Sequence, residues 1–159
     1  HSISFRALNA LFGHAGIEWD ISKISSDDKT ALKTWAAYYK ANRDLLHTGK
    51  SIRIDYADEN AYLYGVIDKK RERAIFSFTQ LTPTIAVHPA QLTFRDLNPD
   101  KDYQVKAVYP AGAPLFMLIE PPTWLTGVTL SGAVLMEIGL PAPILAPENA
   151  LLIEINQSN

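Results

Sequence analysis

The chain has 159 residues and a mass of 17.7 kDa, which is enough for a domain with a substantial apolar core. It contains no cysteine, so disulfides, thiolate zinc sites and a cysteine nucleophile are excluded. With 15 Lys and Arg against 17 Asp and Glu, the formal charge is −2, and we expect neither nucleic acid nor a membrane surface as a partner. No apolar run reaches the ~18–20 residues of a membrane span, and the composition favours a cytoplasmic globular protein.

The first 48 residues have a mainly helical period. Apolar residues of 3–12 fall on one helical face, and Gly13 ends that run. Residues 17–21 alternate between apolar and acidic side chains, which predicts a short strand. A second helix is predicted over 25–47, because serine and two aspartates mark its start and Gly49 follows its end.

After Gly49 the period changes to two, which predicts short antiparallel strands in a sandwich or barrel. The predicted strands cover residues 51–56, 61–69, 73–81, 91–97, 102–110, 128–132 and 150–155. The stretch 130–141 fits either a short helix or a buried strand, and its pattern leaves both open.

Glu18 and Asp20 form the most suggestive pair of carboxylates, because residues two apart on a strand point to the same face. Paired carboxylates serve glycoside hydrolysis and metal sites, and His14 would be a further metal ligand. The alternative is that both acids are surface residues that form salt bridges or cap the next turn, and this interpretation has the greater weight.

Other catalytic motifs are absent from the sequence. It has no G-x-S-x-G elbow, no G-x-G-x-x-G and no Walker loop. His47 is explained as a favourable cation in the last turn of a helix, and His88 has no nucleophile near it in sequence. The many tyrosines and tryptophans are interpreted as core residues, with stacking on sugar rings as the alternative.

Three stretches of the sequence resemble one known family. HSISFRALNALFGHAGIEWDISKIS and YYKANRDLLHTGKSIRID resemble the last barrel segment of glycoside hydrolase family 36, the bacterial α-galactosidases and their relatives. LSGAVLMEIGLPAPILAPENALLIEI resembles the closing strands of that family. The resemblance extends from Ser2 to Ile155.

The resemblance implies a mixed fold: mainly an antiparallel β-sandwich, preceded by a helix–strand–helix remnant of a (β/α)8 barrel. Residues 1–48 would be the end of the catalytic barrel, and residues 49–159 the C-terminal sandwich domain. Within the barrel part, residues 2–12 would be the seventh helix, 15–20 the eighth strand and 25–47 the eighth helix.

The implied function is that of the C-terminal portion of an α-galactosidase, which hydrolyses terminal α-linked galactose with retention and without a cofactor. The two catalytic aspartates of the family lie on earlier barrel strands, and neither motif matches residues 1–159. No catalytic, cofactor-binding or metal-binding residue is therefore assigned, and the chain alone is expected to be inactive and structural. Relatives that are α-N-acetylgalactosaminidases or galactosyl transferases remain alternatives, as does a free-standing carbohydrate-binding sandwich.

An α-galactoside is expected as a partner only in the full-length enzyme. Without a barrel, apolar residues such as Phe5, Leu8, Phe12 and Trp35 lose their neighbours. The isolated chain should then self-associate as a homo-oligomer, keep its first 48 residues partly disordered, or pack them on the sandwich.

Overall fold

A computed structural model describes residues 1–13, 15–84, 88–118 and 120–158. Within these ranges a helical N-terminal part is followed by a β-rich part. The helices are α1 (Ile3–Leu11), α2 (Ser26–Thr48) and α3 (Gly132–Glu137), with a 3-10 helix over Thr123–Thr126. The strands are β1 (Lys50–Ile54), β2 (Ala61–Ile67), β3 (Arg73–Gln80), β4 (Gln91–Leu92), β5 (Asp102–Val108), β6 (Val128–Ser131), β7 (Leu140–Pro141) and β8 (Asn149–Gln157).

The two long helices begin at serine caps. The Ser2 hydroxyl accepts a hydrogen bond from the Phe5 amide at 3.1 Å, and the Ser25 hydroxyl accepts one from the Asp28 amide at 3.1 Å. Each bond satisfies an amide that would otherwise lack a partner in the first helical turn. α2 ends at Thr48, and Gly49 is the single residue between α2 and β1, so the helix is joined to the sheet without a linker.

Six strands form one antiparallel sheet in the order β1-β2-β3-β8-β5-β6, and β4 pairs with β7 in a small second sheet. β8 comes last in the sequence but lies in the middle of the large sheet, between β3 and β5. The large sheet is therefore complete only when the C-terminal strand has joined it.

One face of the large sheet packs against the small sheet, α3 and the 3-10 helix. Phe76 on β3 is fully buried there and contacts Phe94 edge-on, with ring centroids 5.0 Å apart. Leu92 on β4 and Leu140 on β7 belong to the same cluster. These two unequal layers confirm the predicted, mainly antiparallel sandwich.

The opposite face of the large sheet carries α1 and α2. Leu8, Leu11 and Trp35 are buried against a sheet surface that includes Ile75 and Leu152. Of the three outcomes expected for the apolar stripes of the N-terminal part, the structure therefore has the packing of these helices on the sandwich.

The strand predicted over residues 15–20 is wrong. No part of this stretch belongs to a strand, and Gly16, Glu18 and Asp20 are exposed. A barrel strand is held by hydrogen bonds to two parallel neighbours, and no described strand of this chain is parallel to another. The stretch has the alternation of a strand but no partner to pair with. The helix–strand–helix unit accordingly consists here of two helices and an irregular connection.

Two further predictions are corrected or decided. The strand predicted over 91–97 is only two residues long, because the Phe94 amide donates to the Leu135 carbonyl at 3.0 Å instead of to a strand. Asp96 then adopts a positive φ of 64°, which ends extended structure. In the ambiguous stretch 130–141, residues 132–137 form the short helix α3, whose Ser131 cap accepts a hydrogen bond from the Val134 amide.

The described helices do not meet the requirements of a bilayer span. Within the described ranges, none combines the length and the apolar character that crossing a membrane requires.

Candidate functional site

The segment between α1 and α2 carries the carboxylates singled out from the sequence. Trp19 is half-buried, and the Arg6 guanidinium of α1 lies 3.8 Å from the centroid of its ring. This cation–π contact attaches the segment to α1. Glu18 and Asp20 flank Trp19, and both are exposed.

Asp20 organises the turn that follows it. Its carboxylate accepts hydrogen bonds from the Ser22 amide at 3.1 Å and from the Ser22 hydroxyl, and it pairs with Lys23 at 3.0 Å. The bond from the Ser22 hydroxyl and the contact with Lys23 lower the pKa of Asp20 below its usual value. A carboxylate held ionised in this way suits a turn and is a poor proton donor.

Glu18 lines a cleft of about 210 Å³ between α1, the 15–19 segment and α2. The opposite wall includes Leu32 and Tyr39 of α2, and Ile3 and Ala7 of α1 also contribute. Among the described lining residues, Glu18 is the only carboxylate. Retaining glycoside hydrolysis needs two carboxyl groups about 5–5.5 Å apart across the scissile bond, so this cleft lacks the second one.

The described histidines are not brought together. His1 Nδ1 lies 2.8 Å from Glu148 Oε2, and His47 Nε2 lies 2.6 Å from the Tyr39 hydroxyl. His88 is exposed in the loop before β4, and His14 lies outside the described residues. In the part of the chain that the structure describes, no three His, Asp or Glu side chains converge as a metal ion would require.

Most of the described aromatic side chains pack in the interior of the chain. Trp35, Trp124 and Tyr103 are buried. Tyr62 and Tyr109 are 46% and 37% exposed, but they lie on or just after β2 and β5, which β3 and β8 separate. Three strand spacings amount to roughly 14 Å, so these two rings do not form a continuous platform for a sugar.

A polar cluster between α2 and the sheet was not predicted from the sequence. The Tyr38 hydroxyl donates to Glu154 Oε1 at 2.8 Å, and Arg73 donates to Asn42 Oδ1 at 2.9 Å. The side-chain amide of Asn42 in turn donates, through Nδ2, to the Tyr38 carbonyl at 2.9 Å. Burial, reinforced by the charge of Glu154, raises the pKa of Tyr38 above its ordinary value. We call these four residues the polar seam. A sequence signal does exist, because Asn42 is a single amide in the apolar stripe between Tyr38 and Leu45.

Family models match both parts of the chain. Residues 59–153 match the glycosyl hydrolase family 36 C-terminal domain. The chain belongs to glycosyl hydrolase family 36. Residues 1–49 match the melibiase model, and residues 50–58 separate the two matches. The predicted resemblance to this family is thus confirmed.

Relatives of known activity or structure agree with this assignment. An α-galactosidase of Escherichia coli is 31% identical over 164 residues, which cover 99% of this chain and 23% of that protein. The α-galactosidase of Lactobacillus brevis has a solved structure with a TM-score of 0.76 and 24% identity, covering 97% of this chain and 20% of that one. A Geobacillus stearothermophilus α-galactosidase variant in complex with raffinose has a TM-score of 0.78 and 18% identity, covering 99% and 20%. The chain thus spans about a fifth to a quarter of the length of these relatives.

Proposed function

We propose that this chain is the C-terminal, non-catalytic part of an α-galactosidase that hydrolyses terminal α-linked galactose with retention. The observation that carries the proposal is the match of 99% of the chain to only 23% of an α-galactosidase. Relatives in this family have been solved with raffinose and with stachyose, so we propose such α-galactosides as substrates of the whole enzyme. We also propose a cytoplasmic location, which fits the cysteine-free composition.

In this proposal residues 1–48 end the catalytic barrel and residues 49–159 form the sandwich domain. The catalytic pair then lies elsewhere in the enzyme, at the carboxyl ends of earlier barrel strands. One carboxylate of that pair attacks the anomeric carbon, and the second protonates the leaving oxygen. Glu18 is without a facing carboxylate in its cleft, and Asp20 is held in a turn, which supports a role outside that chemistry.

The role of the chain would be to join barrel and sandwich. α1 and α2 bury one side on the large sheet, while their other side opens into the apolar cleft. Ile17 and Ile21 beside this cleft are 56% and 55% exposed. Exposed apolar surface of this kind usually marks contact with further protein, which supports a barrel packed on this side or, in the isolated chain, self-association.

The experiment measures hydrolysis of an aryl α-galactoside by the 159-residue chain alone and by the longer polypeptide that contains it. We expect turnover by the longer polypeptide and none by the chain. In the longer polypeptide, Glu18→Gln and Asp20→Asn should leave hydrolysis of the aryl α-galactoside measurable. Loss of a catalytic carboxylate would abolish it.

Two results would overturn the proposal. The first is turnover by the chain alone that survives repurification and disappears in Glu18→Gln or Asp20→Asn. The second is a longer polypeptide that is folded but acts only on α-N-acetylgalactosaminides, or only transfers galactose to another sugar.

A further inference from the structure

The loop after β5 presents a row of large apolar side chains to solvent. Leu115 is 63% exposed, Met117 is 61% exposed and Leu118 is 40% exposed. Phe116 between them points the other way and packs against the core of the sandwich. We call Leu115, Met117 and Leu118 the apolar ridge.

The backbone of this ridge is fixed. The Leu115 amide donates to Asn149 Oδ1 at 2.8 Å, and the Met117 amide donates to the Ile144 carbonyl at 2.9 Å. The Leu115 carbonyl accepts from the Ala146 amide at 2.9 Å, so the ridge is bonded on both sides of Phe116. A surface with a fixed backbone loses little conformational entropy when something docks on it.

The loop that carries the ridge contacts the start of α1. The Ser4 hydroxyl donates to the Ala111 carbonyl at 3.1 Å, in the same loop as the ridge. His1 contacts Glu148, and the next residue, Asn149, holds Leu115. Polypeptide that leads into His1 would therefore enter near the loop that carries the ridge.

We propose that Leu115, Met117 and Leu118 dock the stretch of the same polypeptide that immediately precedes residue 1. This inference rests on the proposed function, in which a longer barrel polypeptide leads into α1. The relatives are four to five times longer than the matched region, and this chain matches the family's C-terminal domain, so most of their remaining length precedes that region.

The consequence concerns the active face of the barrel. In a (β/α)8 barrel, the connection that enters a helix leaves the carboxyl end of a strand, where the catalytic groups lie. The stretch before α1 would be such a connection. The sandwich domain would then hold a loop of the catalytic face in place from outside the barrel, and the ridge residues would be positioning residues.

The test uses the longer polypeptide with Leu115→Ser and Met117→Ser together. The matched control is Ile138→Ser, because Ile138 is also 63% exposed but follows α3, which packs against β6. Hydrogen exchange is measured on the peptide that covers the ~15 residues before residue 1. We expect exchange there to rise about tenfold or more in the double variant and to stay unchanged in the control.

Activity and oligomeric mass distinguish docking within one polypeptide from contact with a second copy. We expect kcat/KM on an aryl α-galactoside to fall in the double variant while the melting temperature stays within a few degrees of wild type. Unchanged exchange before residue 1 would overturn the docking proposal. So would a loss of oligomer with unchanged exchange, because the ridge would then contact a second copy. Increased exchange in a polypeptide without α-galactosidase activity would retain the docking and refute the proposed function.

Discussion

The two faces of the six-stranded sheet are buried in different ways. The face under the small sheet is closed by residues of the β-rich part itself, and twenty-two described residues form its buried cluster. On the other face, seven buried residues join α1 and α2 to the sheet, and the outer side of those helices opens into a cleft. The first face is a closed core, whereas the helices on the second face leave an apolar cleft open on their outer side.

This difference implies different stabilities for the two parts of one chain. The β-rich part contains most of the buried apolar surface and all the strand pairing of the described residues, so it should unfold as the more stable unit. The helices contribute less burial and leave Ile17 and Ile21 exposed nearby. We expect them to open first when the chain is isolated.

The largest effect should come from Phe76→Ala. Phe76 is fully buried in the closed core, and its loss should lower the free energy of unfolding by about 3–5 kcal/mol. Leu11→Ala, in the helix–sheet cluster, should cost about 2–3 kcal/mol and act mainly on the helices. Hydrogen exchange measured at increasing urea concentration shows which part of the chain each substitution destabilises. If Leu11→Ala destabilises β3 and α2 equally, the two parts unfold as one unit.

A smaller effect is expected at the junction of the two parts. A Cβ on Gly49 would lie 2.5 Å from a methyl of Val66 and 2.6 Å from the Leu45 carbonyl oxygen. Gly49→Ala should therefore shift α2 and cost about 1–3 kcal/mol in thermal unfolding. Gly16→Ala is the control, because a Cβ there meets nothing within 4 Å. Equal melting temperatures for both variants would show that the junction tolerates movement.

The polar seam should contribute less to the free energy of unfolding than the core residue Phe76 or the junction at Gly49. Asn42→Ala leaves the Arg73 guanidinium without its partner and removes the second hydrogen bond to the Tyr38 carbonyl, which should cost about 1–2 kcal/mol. The control is Arg53→Ala, whose exposed pair with Asp55 at 3.9 Å should contribute less than about 0.5 kcal/mol. Chemical denaturation measures both, and a loss as small for Asn42→Ala as for Arg53→Ala would contradict a stabilising seam.

The last effect, which depends on pH, concerns Tyr38. Burial raises its folded-state pKa above the ordinary value of 10.0, so the folded chain retains the phenol proton that the unfolded chain releases. The stabilisation that this retained proton gives the folded chain is complete below pH 10. Above pH 10 it is lost by up to about 1.4 kcal/mol per pH unit.

Tyr38→Phe should therefore unfold with a shallower loss of stability above pH 10 than wild type. Tyr56, on the other core, provides a comparison, because burial raises its pKa to about 12. Tyr56→Phe should also make the loss of stability above pH 10 shallower, but by a smaller amount. Thermal unfolding between pH 8 and about pH 12 gives both slopes, and parallel curves for wild type and Tyr38→Phe would contradict the assignment.

Local signals in the sequence predicted most of the individual elements. The Ser25 cap, the aspartates after it and Gly49 gave the ends of α2 to within a residue or two, because caps act through neighbouring groups. Period-two alternation located seven of the eight described strands, and β7 was missed because a two-residue strand has no period.

Non-local pairing could not be predicted in the same way. The position of β8 between β3 and β5 depends on contacts between residues far apart in sequence. Residues 17–21 alternate as a strand should, yet none of the described strands pairs with them. The polar seam and the apolar ridge arise from the same kind of long-range contact, so only the family resemblance indicated what the N-terminal helices belong to.

α2 acts mechanically as a rod whose C-terminal part is held on the sheet, by Gly49 at its end and by Tyr38 and Asn42 along its side. Its 23 residues span about 34 Å, and a single residue, Gly49, fastens it to β1. A tilt of about 5° at Gly49 would move the far end, at Ser26, by about 3 Å. Small adjustments in how the sheet holds this helix are thereby amplified at Ser26, next to the segment that carries Glu18 and Asp20.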